Sequence, residues 1–154
     1  VDNTIKTRFI FEINKGSNKN NQIDVNSSIS HEDRRVPVDQ MIYIADGPSD
    51  VPVFAVVKGM GGKTYAVYDP KNEKEFQQSC ALVEHGRVHN NGPADYRDQS
   101  PTSMWIRQKA TEILRKMIAK KENHITQKTG SSPSHIPTTN NQLENDSLDQ
   151  KLLW

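Results

Sequence analysis

Met41-Ile42-Tyr43-Ile44-Ala45-Asp46-Gly47-Pro48-Ser49-Asp50 is the stretch whose reading decides the fold. The apolar run Met41 to Ala45 sits between charged sequence and a turn-forming Asp-Gly-Pro. That pattern predicts a short strand buried on both faces, as in a parallel sheet. The strand delivers Asp46 at its C-terminal end, where open α/β sheets bind ligands. Asp50 follows at the start of a predicted helix, Asp50 to Val57, with Pro52 tolerated in its first turn. Two carboxylates brought together in this way form a hard oxygen site suited to Mg²⁺, which takes one or two carboxylates completed by water and phosphate oxygens. Gly47 is expected to let the backbone turn sharply, with Ser49 supporting the loop. The plainer alternative is turn chemistry at Asp-Gly-Pro-Ser and a simple helix cap at Asp50.

Working outward, Lys6 to Lys15 reads as a helix. Ile5, Phe9 and Ile13 recur at a four-residue spacing with Ile10 beside them, and Gly16 stands where it would end. Residues 17 to 40 are polar and read as a loop. After the predicted helix, Gly59, Gly61 and Gly62 form a connection, and a second strand runs from Thr64 to Tyr68. Glu73 to His85 is a predicted helix with Phe76, Cys80 and Val83 on one face. Residues 88 to 100 are irregular, with room for a short strand ending near Tyr96.

The longest predicted helix runs from Pro101 to about Asn123. Its apolar stripe is Ile106, Ala110, Ile113, Leu114, Met117 and Ile118, opposite a basic face. Residues 124–154 are polar and read as a disordered tail. The alternation of helices and strands predicts an α/β sheet with right-handed crossovers in residues 1–123. Two strands do not make a stable sheet of that kind, so sequence missing from this chain is expected.

Composition agrees. The chain has 154 residues, of which 33% are hydrophobic, and its mean hydropathy is -0.80, polar for a globular protein. A formal net charge of +1 gives no reason to expect nucleic acid or an anionic membrane as partner. The lone Cys80 excludes an intramolecular disulfide and a multi-thiolate zinc site, and fits a reducing, cytoplasmic setting. No apolar stretch approaches the roughly 20 residues a membrane helix requires.

Ile42-Tyr43-Ile44-Ala45-Asp46-Gly47-Pro48-Ser49-Asp50-Val51-Pro52 closely resembles the fourth motif of phosphatases of the haloacid dehalogenase (HAD) superfamily, an apolar strand followed by Gly-Asp-Gly-x-x-Asp. Ala45 departs from the usual Gly. The continuation Phe54-Ala55-Val56-Val57-Lys58 and then Gly61-Gly62-Lys63-Thr64-Tyr65-Ala66-Val67-Tyr68 is similar to that family too. The opening Val1-Asp2 with Lys6 at the head of an apolar helix resembles its phosphoserine-phosphatase-like branch. The resemblance spans roughly residues 1 to 120 and implies the C-terminal portion of a Rossmann-like sheet. It also implies Mg²⁺ held by Asp46 and Asp50. Lys6 takes the place of the family's third-motif lysine, which damps charge on the transferred phosphoryl group. Lys15 is a reserve candidate, at the far end of its helix.

The family's nucleophile, the first Asp of an Asp-x-Asp motif that forms an aspartyl-phosphate, is not found. Asp2-Asn3-Thr4 has no strand before it and lies too close to Lys6. The resemblance therefore implies a phosphomonoester hydrolase acting on a small phosphorylated substrate, its N-terminal half missing here. This chain alone is expected to be inactive. The alternative is a non-catalytic interaction module that keeps the sheet.

Other signals are weaker. His31, His85, His89, His124 and His135 lack metal-ligand spacing. Cys80 has nothing nearby to lower its pKa. The basic face of the last helix, Arg107 to Lys121, reads as solvated. Asp46 to Asp50 lacks the alternating ligands of a calcium loop.

Overall fold

The computed structural model describes residues 3–129. It is a mixed α/β structure with a three-stranded parallel sheet and flanking helices. Helix α1 spans Asn3–Lys15, β1 Ile42–Ala45, α2 Val51–Gly59, β2 Lys63–Tyr68, α3 Glu73–Glu84, β3 Asn90–Pro93 and α4 Pro101–Thr129. Short 3-10 turns at Val38–Gln40 and Pro48–Asp50 bracket β1. The strands lie in the order β1-β2-β3, with Ala45 opposite Ala66 and Val67 opposite Gly92. No helix among the described residues is long and apolar enough to cross a membrane.

Alternate residues of β2 face opposite layers, as strand geometry requires. Ala66 packs with Phe54 of α2, Leu82 of α3 and Val88. Tyr65 points the other way, its ring 4.6 Å from that of Trp105 on α4. A neighbouring core joins Ile10 of α1, Val38, Val53 and Val57. Tyr43 packs against both clusters, its ring edge-on to Phe54 at 5.5 Å. Gly62 makes the approach of α2 to this core possible. A Cβ there would lie 2.6 Å from both the Val38 carbonyl oxygen and Val57 Cγ1.

Several expectations change. The strand at Met41 to Ala45 is half-buried throughout rather than buried on both faces, because it lies at the edge of the described sheet. The sheet has three strands rather than the two counted from sequence, because the region 88 to 100, read as irregular with room for a short strand, does hold one, β3. Its Asn-Asn-Gly-Pro sequence opposes strand propensity, so pairing holds it: His89 N donates to Thr64 O (3.1 Å) and Ala94 N to Tyr68 O (2.8 Å). Pro93 is tolerated because β3 is an edge, and Gly92 leaves room for the Tyr65 hydroxyl.

The buried face of α1 is Ile10 and Asn14, while Ile5, Phe9 and Ile13 are exposed. Asn14 faces inward to clasp the following loop: its Nδ2 donates to Val36 O at 2.8 Å, and Val36 N donates to its backbone oxygen at 3.2 Å. On α3 the buried residues are Ser79 and Leu82, and Phe76 is exposed. On α4 only the first half of the predicted stripe is covered. Ile113 is buried, and Leu114, Met117 and Ile118 are exposed. That helix continues to Thr129, six residues beyond the predicted end, so the proposed tail boundary at 123/124 falls inside it. The rest of the predicted tail lies outside the described residues, as do Val1, Asp2 and His135.

Candidate functional site

Lys6, Ile10 and Asn14 share one face of α1, each one turn from the next. Ile10 anchors that face in the core, and the anchor aims Lys6 at the C-terminal end of β1. There Lys6 Nζ lies 2.8 Å from Asp50 Oδ1. The Lys6 side chain keeps 28% of its surface exposed, whereas that of Asp50 keeps 2%. Two residues 44 positions apart in sequence thus meet as an ion pair sealed on its acidic side.

Asp50 stands at the N-cap position of α2, yet its side chain makes no capping hydrogen bond. A simple helix cap therefore does not account for it. Its Oδ1 accepts a second hydrogen bond, 2.6 Å from the Tyr43 hydroxyl. Among the described residues Oδ2 has only the Ser49 hydroxyl, at 3.4 Å. Burial first, and then the hydrogen bond to Asp50 and the charges of Asp50 and Asp46, push the Tyr43 phenol well above the usual tyrosine range. The phenol therefore keeps its proton and donates it.

Asp46 follows the last residue of β1 and is exposed. Among the described residues its carboxylate makes no hydrogen bond or ion pair. It lines a shallow cavity of about 290 Å³ with Tyr68, Asp69, Glu75 and Ala94, beside the C-terminal ends of all three strands. The two aspartates hence play different parts, one buried and triply contacted, the other open to solvent. Both lie near enough to Tyr43 to raise its pKa.

The donors a hard cation would take are anionic oxygens of two kinds: Asp46, exposed beyond the end of β1, and Asp50 Oδ2, which is short of hydrogen bonds among the described residues but belongs to a side chain only 2% exposed. No three His, Cys, Asp or Glu side chains gather in a metal-holding group among the described residues.

Gly47 departs from its expected part. Its backbone is extended, with φ -151° and ψ 169°, a conformation open to any residue, and a Cβ there would meet only Ser49 atoms at 3.9 Å. Ser49 is exposed and touches Asp50. Lys15 does not reach the site: its Nζ donates to the carbonyl oxygens of Val25 (2.5 Å) and Ser27 (2.7 Å). His89 bonds through Nδ1 to Thr64, and Cys80 Sγ accepts from Asn91 at 3.5 Å. Arg107 and Lys109, on the basic helix, pair with Asp98 and Glu112.

Tyr43 was not anticipated. The signal for it was a hydroxyl-bearing ring in an otherwise aliphatic strand, since a buried tyrosine hydroxyl seeks a partner.

No protein-family description matches the chain, and no solved structure does. The chain is similar to an uncharacterized protein of Borreliella burgdorferi, 37% identical over 114 residues, covering 71% of this chain and 36% of that protein. It thus spans about a third of the length of the curated relative it matches.

Proposed function

We propose that this chain supplies the metal-binding acidic loop and the phosphate-stabilising lysine of a HAD-type, Mg²⁺-dependent phosphomonoester hydrolase of the phosphoserine-phosphatase-like branch, built on a Rossmann-like sheet and working in the cytoplasm on a small phosphorylated substrate. One observation carries this: Lys6 and Asp50, the residues matching the third and fourth motifs, meet at 2.8 Å at the C-terminal end of a parallel strand. A helix lysine tied to a buried acid is held in one place, as a group that meets developing negative charge must be.

In this proposal Asp46 and Asp50 hold the ion, which when bound neutralises charge on the phosphoryl oxygens. Lys6 spends one donor on Asp50 and keeps two for phosphoryl oxygens. An aspartate from another segment of the whole protein attacks phosphorus, the P–O bond to the leaving group breaks, and water then hydrolyses the acyl phosphate. The open outer edge of β1 and the relative's greater length support a further segment beside this sheet.

The test is phosphate release from p-nitrophenyl phosphate by the whole protein. Mg²⁺-dependent turnover is expected, with Asp46→Asn lowering it by about a hundredfold or more, the scale of losing a metal ligand or an oxyanion donor. Turnover indifferent to Mg²⁺ and to Asp46→Asn refutes the assignment, and no turnover at all favours the non-catalytic module.

A further inference from the structure

Asp50 has two oxygens in unlike surroundings. Oδ1 accepts from Lys6 Nζ (2.8 Å) and the Tyr43 hydroxyl (2.6 Å), and among the described residues Oδ2 has a single long contact, to Ser49 Oγ (3.4 Å). Lysine brings a charge but little direction, because its ammonium rotates on a flexible stem. Tyr43 brings the direction. Its ring is wedged edge-on against Phe54 and packed into both core clusters, which fixes the hydroxyl at 2.6 Å from Oδ1.

We propose that Tyr43 is a positioning residue: its fixed phenol donates to Oδ1 of Asp50, locks the rotation of that carboxylate, and leaves Oδ2 as the oxygen that faces a divalent cation. The inference rests on the metal-dependent reading above and adds a residue that reading does not contain. Without the phenol, the carboxylate is free to turn about its Cβ–Cγ bond and offer Lys6 either oxygen. Metal affinity then falls although every ligand is still present, as happens when partners behind a metal ligand are removed.

The test is Mg²⁺ titration of this chain by calorimetry, for wild type and for Tyr43→Phe, Ser49→Ala, Asp46→Asn and Asp50→Asn, with circular dichroism confirming that each is folded. Tyr43→Phe should weaken Mg²⁺ binding by about tenfold or more, and Ser49→Ala by much less, since its contact is long. Unchanged affinity in Tyr43→Phe, with binding lost in Asp46→Asn and Asp50→Asn, overturns the positioning role and leaves the metal site standing. Absence of millimolar Mg²⁺ binding by the wild type overturns both. A lower melting temperature in Tyr43→Phe without a change in affinity marks a purely structural hydroxyl and counts against the proposal.

Discussion

Replacing Lys6 by Met should destabilise the chain by about 2–3 kcal/mol, and adding Asp50→Asn should cost nothing further and recover up to about 1 kcal/mol. Removing one partner of a fully buried ion pair costs about 3–5 kcal/mol, because the remaining charge stays unpaired in a poor solvent. Here the value lies lower for two reasons. Lys6 retains 28% of its side-chain surface, so water already shares the site, and the Tyr43 hydroxyl still donates to the stranded carboxylate. What is lost approximates one hydrogen bond to a charged acceptor, about 1.5–3 kcal/mol. Methionine matches lysine closely in length and helix propensity, so the helix itself is little disturbed.

The opposite change is milder. In Asp50→Asn the lysine turns to solvent and the amide oxygen still accepts from Tyr43, for a cost of about 1 kcal/mol. The double variant buries no charge, so the two losses should not sum. A coupling of about 1–2 kcal/mol is expected from the cycle of four proteins. Urea unfolding followed by the fluorescence of Trp105, packed on Tyr65, supplies the four free energies. Repetition in high salt should lower the coupling only in part, since the acid is buried while the lysine keeps 28% of its side-chain surface. Additivity within about 0.5 kcal/mol would refute the claim that Lys6 exists here to hold Asp50.

Two further outcomes test the packing. Ile10→Ala should cost about 2–5 kcal/mol in the same assay, as core truncations do, while Phe9→Ala, one residue away and half exposed, should stay within about 0.5 kcal/mol; the reverse order would restore the face predicted from sequence. His89 should make stability fall in mild acid. His89 is exposed as a residue, but partial desolvation of its ring, then Lys58, Lys63 and Lys109, lower its pKa from 6.5, so the unfolded chain binds the proton more readily. Its stabilising share is therefore complete above pH 6.5 and disappears as pH drops through the lower, folded value. His89→Gln should flatten the melting temperature between pH 7 and 5, and an unchanged slope would remove His89 as its source.

How far these elements were legible depends on what forms them. The strand ends at Ala45 and Tyr68 follow from apolar runs closed by Asp-Gly-Pro and Asp-Pro, where local sequence and fold agree. The last strand was legible only as room for a short strand in residues 88 to 100, because Asn90 to Pro93 has no strand propensity of its own. Its partner Tyr65 to Tyr68 and the His89–Thr64 bond hold it, and such non-local causes leave no periodic trace. The helix faces were misjudged for another reason. Ile5, Phe9 and Ile13 make the better apolar stripe, and only Asn14, an unpromising core residue, discloses that α1 turns inward on its other side.

The same polar–apolar inversion governs the site. Lys6, Asn14 and Asp50 are three polar residues whose side chains would ordinarily be sent to solvent, yet Asp50 and Asn14 are 1% exposed and Lys6 reaches in to meet the acid. Burying a carboxylate beside one lysine is a poor way to gain stability, because desolvation cancels most of the attraction. A hydrophobic pair in the same volume would hold α1 to α2 at least as well. The arrangement would be accounted for if the acid's position mattered more than the energy of holding it there, as the proposed function requires of a carboxylate fixed by Lys6 and Tyr43 beyond the end of β1. If Lys6→Met combined with Asp50→Leu proved more stable than the wild type while Mg²⁺ binding was lost, the pair would be shown to serve chemistry at the expense of stability. A double variant that was less stable, yet still bound the ion, would make it structural after all.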